Sequence, residues 1–83
     1  MGLHIKMKKY RLLGDIMLSF IIDDEQKDFR IGKEEAEKYD AYLESDGTTV
    51  WYIAGKEQKR RESITTANVI DFALKNEKIE EMP

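Results

Sequence analysis

No cysteine occurs in this chain of 83 residues, so no disulfide can reinforce it and packing alone must hold it folded. A chain of that length is expected to make one domain, residues 1–83, around one small core. At 41% hydrophobic residues it is too apolar for a disordered tail, although 37% of it is charged. The apolar periodicity therefore decides the fold. The only proline is Pro83, which leaves punctuation to Gly14, Gly32, Gly47 and Gly55.

Leu3, Ile5 and Met7 alternate with His4, Lys6 and Lys8, the period of a strand with one buried face, and the pattern extends through Tyr10 and Leu12. Gly14-Asp15 reads as a turn. Ile16, Leu18, Phe20 and Ile22 alternate with Met17, Ser19 and Ile21, so both faces are apolar, as in a central strand covered on each side. Asp23-Asp24-Glu25-Gln26 reads as a polar turn, and Phe29 with Ile31 as a short third strand, which gives a three-stranded meander.

Lys33 to Glu44 is rich in helix formers, with Ala36, Tyr39, Leu43 and Tyr42 along one side. A rival reading takes Tyr39, Ala41 and Leu43 as strand alternation into an Asp46-Gly47 hairpin turn. Thr48 to Ala54 is β-branched and aromatic, ends at Gly55, and predicts a strand followed by a polar return strand near Gln58–Ser63. A polar return strand suits an exposed edge. From Thr66 the stripe Ala67, Ile70, Ala73 and Leu74 predicts a helix running toward Glu81, with Ser63, Thr65 and Thr66 as candidate N-caps. Ile64–Phe72 reads alternatively as a strand extension. The fold expected is α+β: a small antiparallel sheet, meander plus hairpin, packed by two helices in the order β-β-β-α-β-β-α.

The longest apolar stretch, Ile16–Ile22, is far shorter than the ~20 residues that span a bilayer. The first residues alternate basic and apolar types and lack the apolar run of a signal peptide. With no cysteine, a cytoplasmic location and no membrane partner are expected.

Net charge is −3, yet the cations are clustered. Lys6, Lys8, Lys9 and Arg11 occupy a segment with no acid, and Lys56, Lys59, Arg60 and Arg61 follow Trp51 and Tyr52 closely. Cations neutralise phosphates while an exposed ring stacks on a base, so segments 6–11 and 56–61 are a candidate nucleic-acid surface. On the other reading they make a solvated edge strand beside a core tryptophan. Gly55-Lys56 is not a phosphate loop, because Val50 stands where its first glycine should be.

Other candidates yield to simpler readings. Asp23, Asp24, Glu25 and Asp28 lack the alternate spacing of a calcium loop. His4 has no second histidine or cysteine with which to hold a metal. Glu34, Glu35, Glu37 and Asp40 form an acidic helical face without the apolar setting that would separate carboxylate pKa values; it reads as solvated surface or as a mimic of nucleic acid toward a basic partner. No catalytic set, metal site or cofactor is predicted.

Gly32-Lys33-Glu34-Glu35-Ala36-Glu37-Lys38, then Val50-Trp51-Tyr52-Ile53-Ala54-Gly55-Lys56, then Ser63-Ile64-Thr65, resembles small proteins of Gram-positive phages and mobile elements. The resemblance covers roughly residues 30–70, uses common residue types and carries no catalytic motif. It implies an accessory or host-directed protein.

The function expected is a non-enzymatic binding or regulatory protein that acts by protein–protein contact through Trp51, Tyr52, Lys56, Lys59, Arg60 and Arg61. Alternation places Trp51 and Tyr52 on opposite faces, so one of them is available to a partner unless both faces are covered. Nucleic-acid binding, with Lys6, Lys8, Lys9 and Arg11 added, is the alternative. The exposed edge also makes a homodimer an expected partner state.

Overall fold

The structure, a computed structural model, describes residues 6–83. Its elements are β1 (Lys8–Leu12), β2 (Ile16–Ile22), β3 (Glu25–Ile31), α1 (Lys33–Lys38), β4 (Tyr42–Ser45), β5 (Thr49–Ala54), β6 (Lys59–Thr66), α2 (Asn68–Lys75) and β7 (Ile79–Glu81). They form an α+β fold with a five-stranded antiparallel sheet in the order β6-β5-β4-β1-β7 and a separate hairpin, β2-β3. The strand reading at Leu3 and Ile5, and His4, lie outside the described residues.

The alternation of β1 is used as expected: Tyr10 and Leu12 are buried while Lys9 and Arg11 face outward. The expected meander is not formed. β1 pairs with β4 on one side and β7 on the other, so neither edge is left for β2. The chain leaves the sheet at Gly14, and Leu13 and Gly14 both donate their N–H to the Lys78 carbonyl, at 2.8 and 3.0 Å.

β2 turns into β3 through Asp23 and Asp24, whose φ angles of 52° and 64° are both left-handed. A two-residue hairpin turn of this hand matches the twist of its strands, and aspartate tolerates it better than most residues. Glu25 and Gln26, expected in the turn, belong to β3. The expectation that β2 is covered on both faces also fails. Ile16, Leu18 and Phe20 are buried, but Met17 and Ile21 are about half exposed, because the hairpin presents only one face to the core.

Lys33–Glu44 resolves into both rival readings in succession: a short helix to Lys38, then strand β4. The helix ends in a Schellman motif, with Ala41 N–H to the Ala36 carbonyl at 2.7 Å and Asp40 N–H to the Glu37 carbonyl at 3.4 Å. Asp40 takes the left-handed position, φ 50°. α2 ends in the same way, with Lys78 N–H to the Ala73 carbonyl at 2.8 Å and Glu77, φ 55°, in the left-handed position. The helix expected to run on to Glu81 thus stops at Lys75 and releases β7. β4 and β7 are absent from the expected order, which becomes β-β-β-α-β-β-β-α-β.

Thr49–Ala54 and its polar return strand form as predicted, the return extending to Thr66. Gly55, at φ 85°, supplies the reversal. None of Ser63, Thr65 or Thr66 caps α2: its N-cap position is Ala67, with no side-chain hydrogen bond. Ser63 and Thr65 tie strands together instead. The Ser63 hydroxyl donates to the Val50 carbonyl at 2.7 Å, and Thr65 Oγ1 accepts the Ser19 N–H at 2.9 Å. The second bond attaches the hairpin to β6, alongside which β2 packs.

The core lies between the inner face of the five-stranded sheet and the hairpin. Leu12, Leu18, Leu43 and Val50 are its most enclosed members, with Ala36 of α1 and Ile70 and Ala73 of α2 packed in. Each fully buried aliphatic side chain contributes about 1.5–3 kcal/mol. Among the described residues, no helix is long and apolar enough to cross a membrane.

Candidate functional site

Strand register decides which of the predicted contact residues meet. Across the five-stranded sheet, Lys9, Glu44, Trp51 and Glu62 lie in one row, and Tyr42, Ile53 and Arg60 in the next. All of these point away from the main core. Tyr52 and Arg61 are direct cross-strand partners on the opposite, inner face. The expected separation of Trp51 from Tyr52 therefore holds, and it divides the basic strand as well.

On the outer face, the Arg60 guanidinium sits 2.8 Å from Glu44 Oε1 and 4.8 Å from the centroid of the Trp51 ring. Glu44 is only 8% exposed. A carboxylate so enclosed needs a cation, and Arg60 provides one while stacking on the half-buried indole. Its charge is thereby committed inside the molecule.

Other predicted cations meet their partners at the surface, in pairs open to solvent on both sides. Arg11 meets Glu80 at 2.9 Å, Lys8 meets Glu81 at 3.8 Å, and Lys59 meets Glu57 at 3.6 Å. Lys9 stands 5.5 Å over the Tyr42 ring. Lys6 and Lys8 border a cleft that also contains Asp46 and Asp71. Lys56 is exposed in the β5–β6 turn. The two basic segments do not merge, because β4 and β5 stand between β1 and β6.

Tyr52 and Arg61 instead converge on a groove of about 410 Å³ between the sheet, the hairpin and α1. Its walls are Phe20, Ile22, Phe29 and Ile31 from the hairpin, with Glu35 from α1 and Arg30 at the rim. Phe20 and Phe29 meet edge to face at 5.9 Å between ring centroids. Phe20 is buried, whereas Phe29 is 43% exposed, so the pair runs from the core out to the groove. Burial, followed by the charge of Glu35 and the neighbouring Tyr39, raises the pKa of the Tyr52 hydroxyl above its ordinary value, itself well above neutrality, so the group stands in the groove as a neutral donor. Arg61 has no carboxylate within ion-pairing distance among the described residues. The groove can thus enclose an apolar group, donate a hydrogen bond and offer two cations, Arg61 and Arg30, that have no ion-pair partner among the described residues, with Glu35 as its one acid.

Phe20, Phe29 and Glu35 did not stand out as contact residues in the sequence. The one available signal was Phe29, an aromatic residue in the otherwise polar stretch 25–30 of β3. No family model matches the chain, and neither does any curated protein or solved structure.

Proposed function

We propose that this protein is a non-enzymatic binding module acting by protein–protein contact, as an inhibitor, adaptor or regulatory accessory factor. Its groove takes an apolar side chain of the partner with an acidic residue close by. The observation that carries this reading is the convergence of Phe29, Tyr52 and Arg61 on one concave surface, where Arg61 has no ion-pair partner among the described residues. Tyrosine and arginine are enriched at binding hot spots, and apolar walls that exclude water strengthen a charged contact. An accessory, host-directed role, as the resemblance to phage and mobile-element proteins implies, belongs to the same proposal, as does the cytoplasmic location expected from the absence of cysteine.

Selection from a random peptide library tests it. Retained peptides are expected to carry a large apolar residue within a few positions of Asp or Glu. R61E should weaken their binding at least about tenfold, the scale of one charge-assisted hydrogen bond. Retained peptides without that pattern, or unchanged affinity for a folded R61E variant, would refute the assignment.

Nucleic-acid binding through segments 6–11 and 56–61 draws less support, since most of those cations already face carboxylates or aromatic rings. Tight, salt-sensitive DNA or RNA binding that R60A and R61A weaken at every sequence would reverse this order of preference.

A further inference from the structure

The edge expected to be open, that of β6, has β2 packed alongside it, while β3 forms the outer edge of the hairpin. Because the Ser19 N–H points across to Thr65, Ser19 and Asp28 form a non-hydrogen-bonded pair of the β2–β3 ladder. Alternation then directs the N–H and C=O groups of Gln26, Asp28 and Arg30 outward. These groups have no backbone partner among the described residues, and residues 25–30 are all exposed.

A charged edge strand ordinarily discourages pairing. Here the order of charges singles out one way of pairing with itself. The outward groups at 26, 28 and 30 allow a two-fold axis to pass only through a residue position of the strand. Centred on Lys27, Asp28 or Arg30, such an axis sets that charge against its own copy, and centred on Gln26 it leaves only Glu25–Lys27 to pair. Centred on Phe29, it pairs Asp28 with Arg30 of the second copy, twice over, lays Phe29 against Phe29, and engages all of Lys27–Ile31. Opposite charges and aromatic pairs directly across antiparallel strands are both stabilising.

We infer that the protein forms a two-fold homodimer by antiparallel β3–β3 pairing centred on Phe29, which joins the hairpins into a continuous four-stranded sheet. Strand pairing alone buries less than the roughly 800 Å² per partner of a standard interface, so the dimer is weak and concentration-dependent. It sets the two grooves side by side. The dimer shares Phe29 and Arg30 with the lining of the groove, and the two readings are told apart by their tests: the dimer by self-association of Asp28 and Arg30 variants with no peptide present, and the groove by the peptide affinity of an Arg61 variant.

Sedimentation across a concentration series up to about 1 mM should show a reversible monomer–dimer equilibrium in the wild type. D28R and R30D should each shift it to monomer by placing like charges opposite one another, and the double variant D28R/R30D should restore the dimer. Asp28 also accepts the Ser19 hydroxyl at 2.6 Å, a bond within the hairpin that D28R removes; R30D, whose side chain has no hydrogen bond or ion pair among the described residues, gives an independent reading. As the chain has no other cysteine, F29C should yield a disulfide-linked dimer on mild oxidation, whereas K27C, facing Ile31 of the second copy, should not. A wild type that stays monomeric throughout, a folded R30D that still dimerises, or equal crosslinking of K27C and F29C would overturn the inference.

Discussion

Asp40 and Glu77 play the same part, since each holds the left-handed position that ends a helix and aims the next residues into a strand. Glycine normally fills this position because a Cβ costs roughly 1–2 kcal/mol there. The sequence offers no glycine at either point, and so both helices read as longer than they are. Asp40→Gly and Glu77→Gly should each raise stability by about 0.5–1 kcal/mol, the relief of strain being partly offset by the greater freedom glycine gives the unfolded chain. Urea denaturation measures this directly, and a loss of stability in both variants would contradict the strain account. Arg60 shows the same limit on local reading. Its sequence neighbours make it part of a basic run, yet its nearest charge is Glu44, contributed by a different strand.

At the scale of elements, the hairpin and the five-stranded sheet are separate ladders, and their attachment depends on side chains as much as on apolar packing. Thr65 Oγ1 is the acceptor for the Ser19 N–H, a backbone donor with no other partner in the described structure. Thr65→Val preserves shape and β-branching while removing that acceptor. It should cost about 1–2 kcal/mol, the penalty for leaving a backbone donor unsatisfied. Hydrogen exchange should show the added loss concentrated in β2 and β3, with β4 and β5 still protected; uniform loss would mean that the hairpin and sheet unfold as one unit. Elements whose pattern was complete within themselves were legible in the sequence, as with β1, β5 and the start of α2. β4 and β7 were not, since the short run Ile79–Glu81 becomes a strand only by pairing with β1.

Across the whole molecule, the core sets the response to alkali. Tyr10 is buried on β1, directly beside Glu81 of β7, and its pKa is raised by burial, then by Glu81 and by Asp71. The unfolded chain releases this proton near the ordinary tyrosine value of about 10, before the folded chain does. Stability is therefore fully present below that pH and falls as pH rises toward the higher folded pKa. Tyr52, raised in the same direction, adds to the fall. Tyr10→Phe should flatten part of the decline in denaturation midpoint between about pH 9 and pH 11; an unchanged slope would show that Tyr10 does not govern it. By itself the sequence determined the α+β class, the alternation that buries Tyr10 and Leu12, and the opposition of Trp51 to Tyr52, because each follows from spacing along a single segment. Only the tertiary structure decided that Glu44 would engage Arg60 while Arg61 met no carboxylate among the described residues, and that β2 would lie along β6 and leave β3 as an edge of the hairpin. Those outcomes depend on which strands become neighbours, and long-range pairing is set by the shared core rather than by any local run of residues.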